Sequence, residues 1–220
     1  CLFLQGASGE LAPREQYTGD VAVADANGRR LGYAALATLA GMLPPAIGLG
    51  YRGVVESGAP LATWDREPFE PPTQMQAVRL EVPLPLRPLP TIEEVRRDLA
   101  ACTDRVQAER LRRRIRVIES VGPGPESPQP VWIWRVGQAV FVGHPNEAYS
   151  ALQIRLRQRF AALAVVVMNV VNGHSGYLAP PELYDRDVYQ VWQSPFDRDS
   201  LPRLIRACED QIERLLAETV

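Results

Sequence analysis

Apolar and polar positions alternate with a period of two in some stretches of the chain and with a helical period in others. Val78, Leu80 and Val82 are separated by single polar residues, so residues 75–84 are expected to form a strand, as are residues 47–56. Residues 21–39 carry Ala22, Leu31, Ala35 and Leu39 at helical spacing. Pro83, Pro85, Pro88 and Pro90 then extend the chain. Thr91 followed by Glu94 is a capping-box pattern; it predicts a long charged helix to about residue 119, whose many arginines form a solvated face. Residues 122–130 read as a Pro/Gly-rich loop, and residues 131–136 and 139–143 as a hairpin around Gly137-Gln138. Asn146 is expected to cap a helix running to about Phe160. Residues 162–170 form a β-branched buried strand, residues 172–196 a loop rich in Gly, Pro and Tyr, and Ser200 caps a last amphipathic helix to about Ala217. Strands alternating with helices indicate an α/β fold, a layered mixed sheet with flanking helices.

The chain opens at Cys1 in the apolar run Leu2-Phe3-Leu4. Residues 1–5 are expected to form a buried strand, and the chain to be a cut through a longer one. Residues 1–220 are thus read as the C-terminal part of one larger catalytic domain, with no complete second domain.

Composition narrows the chemistry. Every one of the 24 basic residues is arginine. Without lysine the chain cannot supply a Schiff base or a Walker P-loop. The cysteines, Cys1, Cys102 and Cys208, form no C-x-x-C pair, so neither a thiolate zinc site nor a disulfide framework is expected. A net charge of −2 gives no electrostatic case for nucleic acid or an anionic membrane. The longest apolar stretch, residues 160–171, is too short to span a bilayer.

Three short segments could carry chemistry. In the first, Gly6-Ala7-Ser8-Gly9-Glu10 follows the expected strand and is followed by Pro13. Such a turn brings backbone N–H groups close to a ligand. Glu10 stands where a nucleophile elbow needs glycine, and no third glycine opens a helix as a dinucleotide fingerprint requires. In the second, Val142-Gly143-His144-Pro145-Asn146-Glu147 ends a strand and is expected to place Glu147 in the first turn of a helix, where the helix dipole favours a carboxylate. The third, Asn172-Gly173-His174-Ser175-Gly176-Tyr177, leads on to Tyr184 and Tyr189 and follows a buried strand. That position, at the C-terminal edge of a sheet, is where α/β proteins keep their sites. His144 and His174 are the only histidines, and each is expected to be a turn or surface residue.

Together these segments resemble the neutral/alkaline, non-lysosomal ceramidase family. Residues 7–13 occupy the place of the family's N-x-G-D-x-S-P motif, with Ala7, Glu10 and Ala12 standing where it has Asn, Asp and Ser. Residues 142–147 match its V-G-x-P-x-E motif, and residues 172–177 its N-x-x-x-x-Y motif. The resemblance implies that Glu147 and Tyr177 are zinc ligands. It also implies that Tyr189, twelve positions after Tyr177, lines the substrate pocket, and that Gly9 and Glu10 form part of the cleft floor. Two further histidine ligands lie in the family's upstream half, so His144 and His174 are neighbours of ligands. The implied activity is zinc-dependent hydrolysis of an amide bond in a ceramide-like or other N-acyl, lipid-like small molecule. The partner is the upstream half of the same domain, without which the chain is expected to be inactive. The resemblance suggests a secreted or periplasmic protein.

The alternatives are a catalytically degenerate ceramidase-like domain, suggested by Ala7 and Ala12; a structural or oligomerisation domain working through its Arg-rich helix; and a phosphate-ester hydrolase on a related metal scaffold. The residues identify no general base.

Overall fold

The computed structural model describes residues 2–218, and these fall into two compact units. Residues 12–73 form one of them. It contains helix α1, Val21–Gly41, whose N-terminus is capped by the Asp20 side chain accepting from the Ala22 N–H. An antiparallel hairpin follows, β1 (Ile47–Glu56) and β2 (Pro60–Pro68), with a bulge between Tyr51 and Gly53. The Tyr51 and Trp64 rings meet edge to face across it. No residue of α1 is buried.

The other unit comprises residues 1–11 and 74–220. Its frame is a four-stranded sheet of β3 (Met75–Pro85), β4 (Glu126–Val136), β5 (Ala139–Gly143) and β7 (Ala164–Met168), in that spatial order. β3–β4 and β4–β5 are antiparallel, whereas β5–β7 is parallel. The sheet is therefore mixed, and the protein is a mixed α/β molecule. Register aligns Val78, Ile133, Val142 and Val167 in one row on one face, as the two-residue strand period requires. Against this face lies α6 (Ser200–Ala217), which buries Leu201, Leu204, Cys208, Ile212 and Leu215. Their spacing of three or four residues makes a single apolar stripe. Helix α4 (Ala151–Arg159) adds Leu152 and Leu156, both fully buried, and packs on α6 and β7.

Several local expectations are corrected. Leu2–Gln5 is not a strand but exposed irregular chain, tied down where the Gln5 carbonyl accepts from the Asn169 N–H at 2.8 Å; Cys1 lies outside the described residues. The single helix expected over residues 91–119 is two, α2 (Ile92–Ala101) and α3 (Arg105–Val121). Asp104 starts the second by accepting from the Gln107 N–H at 2.6 Å, a cap that outcompetes continuation. The expected loop over residues 122–130 is largely strand. Over residues 126–130, β4 has only β3 beside it, and proline is tolerated on such an edge. Asn146 caps no helix: α4 begins only at Ala151. Ser200 donates to the Pro85 carbonyl rather than capping α6.

Candidate functional site

The largest correction falls on the segment that carries Glu147. Glu147 is not in a helical first turn but in a short strand, β6 (Glu147–Ala148), parallel to β8 (Tyr177–Leu178). The Glu147 N–H donates to the Gly176 carbonyl at 2.9 Å, and the Tyr149 N–H to the Leu178 carbonyl at 3.1 Å. These ladder bonds occupy the backbone groups that a helix would need. The register pairs Glu147 directly with Tyr177, and directly paired residues project to the same face. Two residues 30 positions apart in sequence are thereby brought side by side.

The Glu147 carboxylate lies near enough to the Tyr177 hydroxyl for its charge to act on it. The Tyr177 hydroxyl is held well above the usual phenol range, first by burial and then by the negative charge of Glu147. His174 enters from the loop before β8, with its Nε2 2.7 Å from Glu147 Oε1. The turns that deliver it need positive φ at Val170, Asn172, Gly173 and Gly176. For the β-branched Val170 this conformation is strained. Gly176 has a second constraint, since a Cβ there would meet Pro195 Cδ at 2.8 Å.

Glu147, His174 and Tyr177 open onto a cavity of about 590 Å³, whose far wall is α3 with Arg113 and Arg116. Tyr189, the first residue of α5 (Tyr189–Gln193), lines the same cavity. Its ring meets that of Tyr177 edge to face, with centroids 6.1 Å apart. The Arg110 guanidinium lies over the Tyr189 ring at 6.0 Å.

Gly9 and Glu10 are placed differently. Neither lines the cavity; both brace the strand that carries Glu147. The Gly9 N–H donates to the Ala148 carbonyl at 2.9 Å, which also accepts from the buried Asn169 side chain at 2.9 Å. A Cβ at Gly9 would lie 2.7 Å from the Glu147 carbonyl oxygen and 2.9 Å from Tyr149 Cδ1. The Glu10 carboxylate accepts from the Ser150 N–H and from its hydroxyl. Ala7 is fully buried in the core.

His144 is not a surface residue. It is fully buried, and burial pushes its imidazole down to about 4. Its Nδ1 accepts from the Asn146 N–H at 3.3 Å, and the Asn146 amide in turn donates to Gln129. This buried network sits beneath the turn that leads into β6. The resemblance made His174 a neighbour of ligands; its direct contact with Glu147 is not legible in the sequence, because a histidine between glycines carries no periodicity to aim it.

Among the described residues, no three His, Cys, Asp or Glu side chains cluster as a metal site. What the chain brings together is one carboxylate, one phenol and one imidazole. Oxygen and nitrogen donors of this kind suit zinc.

No protein-family profile matches the chain, and no curated protein matches it significantly. Among solved structures it is similar to a neutral ceramidase from Pseudomonas aeruginosa, at 17% identity over 62% of this chain and 27% of that one, with a TM-score of 0.41. It is also similar to a ceramidase complexed with C2, at 19% identity over 38% of this chain and 14% of that one, with a TM-score of 0.33. The chain thus spans 27% and 14% of those two chains. At these TM-scores the likenesses are partial, and the mixed α/β architecture stands on the strand topology itself.

Proposed function

We propose that this chain contributes the carboxylate and phenol ligands of a zinc-dependent amidohydrolase site acting on a ceramide-like or other N-acyl substrate, with two histidines from an upstream half completing the set. The observation that carries the reading is the direct pairing of Glu147 with Tyr177 across β6 and β8 at the mouth of a cavity. The V-G-x-P-x-E and N-x-x-x-x-Y segments end on those two residues, so motif and geometry select the same pair. Zinc bound there would supply Lewis-acid polarisation of the amide carbonyl.

The protein's own groups have separable tasks in this reading. His174 contacts one carboxylate oxygen of Glu147; a histidine N–H on a ligating carboxylate fixes its orientation and leaves the second oxygen for the ion. Tyr189 meets the Tyr177 ring edge to face, and its hydroxyl, the polar tip of an apolar body, hydrogen-bonds the amine-side head of the substrate. Gly9 and Glu10 hold β6 in register rather than touching substrate. A degenerate, non-hydrolytic binding domain is the second reading. It is favoured by Ala7, which buries a methyl group where the resembled motif has a polar side chain.

The test is zinc titration of the protein by calorimetry, with Glu147→Gln and Tyr177→Phe as variants. One weak site is expected in the parent chain, with affinity reduced at least tenfold in each variant, as loss of a ligand requires. Undiminished zinc binding in Glu147→Gln would overturn the assignment. Hydrolysis of an N-acyl amide is expected only when the upstream half is present. Zinc binding without hydrolysis in that complete protein would favour the degenerate reading.

A further inference from the structure

Helix α3 carries six arginines and only two glutamates, in a chain whose net charge is −2. Two of those arginines, Arg113 and Arg116, lie three residues apart on the turn of the helix that walls the cavity. Glu109 also lines it. Its carboxylate takes contacts from Arg113 at 3.1 Å, Arg116 at 3.3 Å and Arg112 at 3.7 Å. One carboxylate cannot saturate three guanidinium groups, each with five N–H donors. N–H donors of Arg113 and Arg116 in excess of what the Glu109 carboxylate accepts therefore remain on this wall. They are also close to the proposed reaction centre. Arg113 lines the same cavity as Tyr189, Tyr177 and Glu147, and the Tyr189 ring abuts that of Tyr177. Val117, one turn further along α3, supplies an apolar surface on the same wall.

We infer that the substrate of this cavity carries an anionic group held by Arg113 and Arg116, which makes its class the N-acyl amino acids rather than neutral N-acyl amines. This inference rests on the N-acyl reading above. A planar guanidinium fork matches a carboxylate with two parallel hydrogen bonds. The carboxylate of an acylated amino acid lies one carbon from the amide nitrogen, so both groups enter the one cavity that Arg113, Glu147 and Tyr177 line. Arg110 and Arg114 take no direct part. Their guanidinium groups lie over the Trp192 ring at 5.8 and 5.4 Å and keep α5, which carries Tyr189, against α3.

The probes are N-octanoylglycine and N-octanoylglycinamide, which differ only in the charge of the terminal group. Calorimetric titration of the whole chain at pH 7.5 compares them. The acid is expected to bind about tenfold tighter, as one charge-assisted contact on a solvent-accessible rim implies. In the Arg113→Gln/Arg116→Gln double variant, the acid falls to the affinity of the neutral amide. Arg112→Gln removes a charge from the same helix and the same glutamate but not from the cavity wall, and it retains the preference. Circular dichroism melts confirm that each variant is folded. Equal affinity for the two probes in the parent protein overturns the inference and leaves the N-acyl reading standing. Loss of the preference in Arg112→Gln overturns it as well, since the effect would then be the charge of the helix. Failure of both probes to bind overturns the N-acyl reading and this inference together.

Discussion

His144 and His174 occupy similar Gly/Pro-rich settings in the sequence and have opposite fates. His174 is half exposed and meets Glu147. His144 is fully buried, with Nδ1 accepting a backbone hydrogen bond and Nε2 without a partner. Burying a charged imidazole is costly, and desolvation holds the folded-state value near 4. The unfolded chain titrates at the ordinary histidine value of about 6.5. Between the two, the unfolded state binds the proton and the folded state does not, so stability falls as pH drops through that window. The slope approaches about 1.4 kcal/mol per pH unit for one proton. Urea unfolding of the protein and of His144→Gln at pH 7 and pH 5 should show a larger acid loss in the parent. Equal losses would place His144 in contact with solvent. Burial of this kind is set by which segments close over the turn, and local composition carries no trace of it. Tyr189 is the contrasting case: the family resemblance implied that it lines a pocket with Tyr177, and it lines the same cavity.

At the level of elements, the sheet was legible wherever apolar alternation is strong, and α6 wherever its apolar stripe is regular. Thr91 and Glu94 form the expected capping box. The failures share a cause. β6 and β8 are two residues each, too short for any period, and they exist because they pair with one another. The break between α2 and α3 depends on a single cap at Asp104 that competes with a continuous helical pattern. The expected strand at the start of the chain had apolar composition but gains no ladder. Gly9 ties these elements to the site, because its backbone touches the strand that presents Glu147. Gly9→Ala should force β6 outward: a Cβ 2.7 Å from a carbonyl oxygen cannot be accommodated without backbone movement. The expected cost is about 1–3 kcal/mol by urea denaturation, together with weaker zinc binding, although Gly9 lines no part of the cavity. A variant with unchanged stability and zinc affinity would show that the turn is not a brace.

At the largest scale, the four-stranded sheet and α6 form the frame of the unit that carries the site. The site sits beyond the C-terminal ends of the parallel strands β5 and β7, where crossing loops open a crevice in α/β sheets. The chain emerging from β5 carries Glu147, and the chain emerging from β7 carries His174 and Tyr177. This shared edge explains how segments distant in sequence serve one centre. The central claim is that Glu147 and Tyr177 hold the same ion. Anomalous diffraction at the zinc absorption edge, from crystals of the zinc-loaded protein, tests it directly. The account requires one peak within about 2.0–2.2 Å of both a Glu147 carboxylate oxygen and the Tyr177 hydroxyl. Zinc bound elsewhere, out of reach of both side chains, would contradict it.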